Sequence, residues 1–272
     1  MHSSKTVPAD IFLSLVRHAG LARQMVKREV LGRYRGSFLG LLWSFVNPVL
    51  MLAVYTFVFG IVFQARWGQG SGDRLEFALV LFAGLIVFNL FSECLTRAPG
   101  LVLGNVNYVK KVIFPLEILP WVSLGSALFH AAVSLGVLLL FLSFAGHGIA
   151  WTVLLLPLVL APFVLLIQGL SWLLASIGVF VRDIGQVVGM AMTVLMFMSP
   201  IFYPADALPE AVRGWLFLNP LTFIIEQSRD VLIWGKLPDW SGLAVYSLIA
   251  LAVAWAGLFW FQKTRKGFAD VL

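Results

Sequence analysis

The side chains able to do chemistry are few and scattered along this sequence. Asp206, Glu210, Glu226, Asp230 and Asp239 lie late in the chain, and Glu117 and Asp183 lie earlier. Acid–base catalysis needs carboxylates or imidazoles that converge, and no pair among these has a diagnostic spacing. Arg213 and Arg229 are close enough in sequence to neutralise the later group. His2, His18, His130 and His147 are dispersed and no HExxH occurs, so no metal site is expected. Cys94 is the only cysteine, which excludes a disulfide within the chain and a Cys-based metal site. Arg182-Asp183 reads as a surface ion pair rather than a catalytic dyad. A phosphate-binding GxxxxGK[ST] loop is missing too: Gly235-Lys236 lacks the upstream glycine and the hydroxyl residue.

The elements that must carry these residues are apolar. Of 272 residues, 60% are hydrophobic and 12% charged, and the mean hydropathy is +0.94. Soluble domains carry roughly 25% charged residues, so this chain has about half the charge a water-facing surface requires. Six stretches, at 37–64, 77–96, 114–145, 151–180, 184–203 and 241–262, approach or exceed the ~20 helical residues that cross a bilayer core. They are continuous rather than alternating, which excludes a β-barrel and predicts an all-α integral membrane protein with six spans. The charged stretch through Arg35 and the long apolar run after it do not read as a signal peptide.

The net charge of +6 does not indicate nucleic acid, because the bases occupy the gaps between apolar runs. Fourteen of the 19 Lys and Arg residues fall on one set of gaps and five on the other, which places both termini in the cytoplasm. Residues 10–34 read as one amphipathic helix with Phe12, Leu15, Val16, Ala19, Ala22, Val26 and Val30 along one side. Such a helix lies in the inner headgroup layer or packs on a partner. Residues 97–114 form a broken cytoplasmic segment, with Glu93 and Arg97 spaced for an i,i+4 pair. Residues 204–240 are too apolar for a solvated loop and predict re-entrant helices on the outer side.

Ionisable side chains are almost absent from the middle of the spans; His130 and amides such as Gln168 are the main polar groups of the third and fourth. Ion-coupled carriers keep carboxylates inside the bundle. Energy for transport is therefore expected from a separate ATP-binding subunit acting on residues 97–114, with no cofactor in this chain. A membrane-bound transferase is the alternative from another class.

Arg33-Tyr34-Arg35-Gly36-Ser37-Phe38-Leu39-Gly40-Leu41-Leu42-Trp43, then Asn47-Pro48, resembles the ABC-2 permeases that export polysaccharides such as O-antigen and teichoic acid. The resemblance continues through Lys110-Lys111-Val112-Ile113-Phe114-Pro115, Arg182-Asp183-Ile184, Ser199-Pro200-Ile201-Phe202-Tyr203-Pro204 and Asn219-Pro220-Leu221-Thr222. It implies an interface helix over 1–36, a transmembrane domain over 37–262 and a cytoplasmic tail over 263–272. It also implies a homodimer in the bacterial inner membrane, two copies of an ATPase subunit that binds ATP and Mg, and a lipid-linked polysaccharide as cargo. Teichoic acid, capsule, drug and lipid exporters are the neighbouring alternatives. Carried onto this sequence, the coupling segment (about 97–113) contains Pro99, Asn105, Tyr108, Lys110 and Lys111, and the outer gate lies within 204–240. Arg33 and Arg35 become candidates for pyrophosphate contact or fix topology only. Gly36 and Gly40 allow a bend into span one. Trp43, Tyr55, Phe59, Phe197, Phe202 and Tyr203 are candidates for a glycan channel, where ring faces meet sugar C–H groups, or serve as packing.

Overall fold

The structure is a computed structural model that describes residues 10–63, 67, 74–109, 114–146, 148–207, 209, 214, 216 and 218–272. Helices α1 (Asp10–Arg17) and α2 (Ala19–Arg33) replace the single amphipathic helix expected over 10–34. His18, at φ −113° and ψ 22°, breaks it. The buried side is also different: Ile11, Ala22, Met25 and Val30 are covered, whereas Val16 is 72% exposed. The cause is packing on the protein's own third span, where Val26 sits over Gly125 so closely that a Cβ there would lie 2.7 Å from Val26 Cγ2.

The chain leaves α2 through Gly36 and Gly40, at φ +84° and +52°, in the left-handed region that glycine enters without a Cβ penalty. The bend expected there is present. A 3-10 turn (Gly40–Leu42) leads into α3 (Trp43–Tyr55), and a π-helical stretch (Thr56–Val62) completes the first span. Helix α4 (Arg74–Arg97) follows, then two single turns, α5 (Gly100–Leu103) and α6 (Val106–Val109). Among the described residues of the coupling segment expected near 97–113, which end at 109, two short helical pieces are present, and Arg97 belongs to the preceding span. Helices α7 (Leu119–Phe144) and α8 (Leu156–Phe180) are long, and α9 (Ile184–Met198) is short. Helices α10 (Pro220–Leu232), α11 (Trp240–Thr264) and α12 (Phe268–Val271) end the chain.

Among the described residues, five helical segments are long and apolar enough to cross a membrane: Gly40–Val62, Glu76–Arg97, Leu116–Phe144, Trp151–Phe180 and Trp240–Val271. The sixth expected span is α9, whose 15 residues extend only about 22 Å at 1.5 Å per residue. It stops five residues short of the expected end at 203 because Pro200 drives Ser199 into an extended conformation (ψ 150°).

Helix α4 is the hub. Within its most apolar stretch 78% is buried, against 11% for span one, which lies at the periphery. Around α4 pack α3, α7, α8, α9 and α10. The most extensive pair is α8 with α11, where the backbones touch: a Cβ on Gly169 would stand 2.6 Å from Ala254 Cα. Asp239 starts α11 by accepting from Ser241 N and Gly242 N, both at 3.1 Å. The Ser241 hydroxyl and then the Gly242 amide hold the Asp239 carboxyl below the usual carboxylate range. The residues expected as a tail fold back: Phe268 is fully buried against Phe180 and Phe261, and Arg265 pairs with Glu117 at 2.8 Å.

Candidate functional site

The inner end of the bundle, as the charge bias orients it, is tied together by alternating charges. Arg97 reaches Glu93 at 3.5 Å, the i,i+4 pair read from the sequence. Glu93 lies closer to Arg33, at 2.6 Å, and Arg97 also pairs with Glu29 of α2. Two guanidinium groups and two carboxylates therefore cancel. These pairs are partly exposed, and such pairs contribute about 1 kcal/mol or less each. Their effect is positional: they fix the end of α2 to the end of α4. Arg35, beyond the turn, is exposed and makes no ion pair among the described residues.

The coupling candidates lie beside this network. Pro99 precedes α5 and rests on α8 at Gly178, where a Cβ would come within 2.7 Å of Pro99 Cα. Asn105 donates from Nδ2 to the Leu101 carbonyl (2.8 Å). Tyr108 accepts from Arg28 (3.1 Å) and stacks on Phe114 with ring centroids 4.2 Å apart. Arg28 joins the segment after α4 to α2, and Arg97 joins the end of α4 itself to α2. Lys110 and Lys111 lie outside the described residues.

Four of the six channel candidates meet in one cluster. Phe202 stacks between Phe59 (5.9 Å) and Phe197 (6.0 Å), and the Tyr203 hydroxyl donates to the Phe197 carbonyl (3.0 Å). Phe197 is 64% exposed, so the row of rings opens at the molecular surface. The row continues inward from Phe59 to Phe77 and Trp67. Trp43 does not join it; at the start of α3 it is about 18 Å along the helix from Tyr55. Tyr55 faces a different feature, a cavity of 540 Å³ between span one, α4 and α7.

Arg229 was not legible as a functional position. Expected on the outer side, solvated or paired with carboxylates, it is instead 3% exposed. It donates through Nε to Val80 O (3.0 Å), through Nη1 to Pro200 O (2.5 Å) and through Nη2 to Ile201 O (3.1 Å). Its guanidinium lies 4.4 Å from the centre of the Trp67 ring. Gly84 makes room for it: a Cβ there would lie 2.7 Å from the nearest Arg229 nitrogen. Asn219 completes the arrangement by donating to Ser199 Oγ (2.8 Å). Arg229 thus satisfies the Pro200 and Ile201 carbonyls in the turn after α9, and Asn219 Nδ2 also reaches the Met198 carbonyl at the helix end (3.3 Å). The signal available in sequence was Pro200 itself, which ends a helix and leaves carbonyls in need of donors.

Two of the carboxylates considered for catalysis are put to structural use. Glu117 is held by Arg265 and lies 3.4 Å from the Ser14 hydroxyl, and Asp239 caps α11. Glu210 lies outside the described residues.

Residues 21–233 match the sequence pattern of the family described as ABC-2 type transporter. The chain belongs to that family. This ABC-2 transporter is 29% identical to an O-antigen export system permease protein of Myxococcus xanthus over 258 residues, 94% of this chain and 96% of that one. It is 25% identical to the protein of the same name from Klebsiella pneumoniae, covering 91% and 93%. It is also 25% identical to a polysialic acid transport protein of Escherichia coli, covering 88% and 91%. The ABC-2 transporter is a multi-pass membrane protein, and the likenesses run through α2, the spans and α10 alike.

Proposed function

We propose that this chain is the permease subunit of an ABC transporter that exports a polysaccharide, with O-antigen as the first candidate. The observation that carries this reading is likeness along nearly the whole chain to permeases named for O-antigen export and polysialic acid transport. The polysialic acid relative keeps a capsular polysaccharide as the second reading.

Two copies of the permease assemble with two ATPase subunits, which bind ATP and Mg, in the bacterial inner membrane with both termini cytoplasmic. Exposed apolar residues at helical spacing on α9 (Val187, Met190, Val194, Phe197) and along span one (Phe38, Leu42, Phe45, Phe57) support a second copy meeting these helices. The Phe59–Phe202–Phe197 row then lines the route between copies, offering ring faces that pass sugar C–H groups without trapping them. Trp43 stands apart from that row toward the inner end. Of the two pyrophosphate candidates, Arg35 makes no ion pair among the described residues, whereas Arg33 is offset by Glu93. The ATPase acts on Pro99, Asn105, Tyr108, Lys110 and Lys111. Its push reaches α2 and span one through Arg97–Glu29 and Arg28–Tyr108.

Deleting the gene is expected to remove one surface polysaccharide and to leave its lipid-linked precursor inside the cell. Loss from lipopolysaccharide selects the O-antigen reading and loss from capsule the second. Unchanged surface polysaccharides with no trapped precursor contradict both.

A further inference from the structure

The 540 Å³ cavity bounded by span one, α4 and α7 has a polar lining that the transmembrane location does not explain. Asn47 and Asn89 are both exposed into it, each within about one turn of the middle of its span. Neither amide makes a side-chain hydrogen bond among the described residues. Ser92 and Thr96 continue the line from Asn89 at steps of three and four, so these side chains share one face of α4. Pro48, also on the wall, has no N–H, which leaves the Ser44 carbonyl beside it without its helical donor. Opposite, Ser134 of α7 lines the cavity, and the buried His130 Nε2 has no partner.

Unsatisfied amides facing hydrocarbon cost several kcal/mol each, so these amides require a polar partner within the groove. Its volume is many times the ~30 Å³ that one water occupies. Its mouth holds Arg33, Glu93 and Arg97, whose charges are balanced by one another and by Glu29, so an anion gains little there. Amides and hydroxyls donate and accept together, which matches sugar hydroxyls. An acyl chain fits the second cavity of 530 Å³, walled by residues such as Ile86, Leu128, Leu135 and Leu160, far better. The groove shares no residue with the Phe59–Phe202–Phe197 row.

We propose that this groove is a saccharide-binding site within a single protomer, holding neutral sugar units of the cargo through Asn47, Asn89, Ser92 and Ser134. This rests on the polysaccharide-export reading and adds to it a second place where the chain is held, apart from the aromatic route. In a Cys94→Ala background, Asn47→Cys and Asn89→Cys are made singly and the assembled permease–ATPase complex is treated with a charged methanethiosulfonate. The probe ligand is the strain's own surface polysaccharide, released from its lipid by mild acid. Both thiols are expected to react, and the polysaccharide at ten times its dissociation constant is expected to slow them about tenfold. Inorganic pyrophosphate leaves the rates unchanged. Thiols that fail to react, that react equally fast with the polysaccharide present, or that respond to pyrophosphate alone overturn the proposal. Co-purification of each variant with the ATPase subunit reports folding, and Ser92→Cys reads the same wall should either Asn variant not assemble. Normal export without protection removes the groove and leaves the export reading intact, whereas a deletion strain with unchanged surface polysaccharide removes the export reading itself.

Discussion

Gly257→Val leaves no properly assembled membrane domain. Helices α8 and α11 cross at Gly169 and Gly257, and a Cβ on Gly257 would stand 2.8 Å from the carbonyl carbon of Gly169. Contact between backbones of this kind is how membrane helices associate when no hydrophobic force separates protein from lipid. An obstructing flexible side chain could rotate away, but the obstacle is main chain on both sides. Inserting methylenes into a packed site costs about 1–3 kcal/mol even where side chains can yield, so a branched residue against backbone exceeds that range. Separation of this pair would also uncover Ala254, Leu258 and Phe261, which form one core with Trp172 and Phe268. Size-exclusion chromatography and thermal unfolding in detergent check this. Gly257→Val is expected to aggregate, and Gly257→Ala to be impaired but recoverable. Gly185→Val, at a position with open space around it, is expected to behave as the parent.

Arg229→Met is the second substitution with a large expected effect, and it acts near the outer end of the bundle. Methionine fills much of the apolar volume but donates to none of the three carbonyls of Val80, Pro200 and Ile201. Hydrogen bonds from a charged group contribute about 1.5–3 kcal/mol each, and a buried acceptor left unpaired adds a further penalty. Part of this loss is offset because the guanidinium's own desolvation cost disappears with it, so a net loss of about 3 kcal/mol or more is expected. The weakening falls first on residues 199–203, which join α9 to the outer segment and carry Phe202 and Tyr203. Faster proteolysis confined to that segment, together with a lowered unfolding temperature, is the expected outcome. Arg229→Lys is expected to recover only part of the loss, because one ammonium cannot reproduce the three-way fork.

These two sites differ in how far sequence led to them. Apolar runs gave the long spans within a few residues, because hydrocarbon thickness dictates helix length whatever the partners are. Gly36 and Gly40, and the Glu93–Arg97 pair, were legible because local geometry alone decides them. The meeting of Phe59, Phe197 and Phe202 followed from the two spans that carry them. Arg229 was misread because Gln227, Ser228 and Asp230 around it look like a solvated surface, and only the tertiary position of α10 against α4 and α9 buries it. Neither did the sequence reveal that Arg97 chooses Glu29, 68 residues away. The polar groove escaped for a similar reason: Asn47, Asn89 and Ser134 lie on three different helices and become one wall only when these pack. The broken helix at His18 and the early end of α9 are boundaries, and boundaries depend on what the flanking residues meet.

Among the described residues, the middle of the spans holds no carboxylate to couple an ion gradient, so work enters from nucleotide hydrolysis at the inner face. Vesicles carrying the permease alone, or the permease with its ATPase subunit, separate the possibilities when loaded with lipid-linked polysaccharide. Transfer of the polymer across the membrane is expected only when the ATPase, ATP and Mg are all present, and imposed proton or sodium gradients should add nothing. Transfer by the permease alone under an ion gradient would contradict the account.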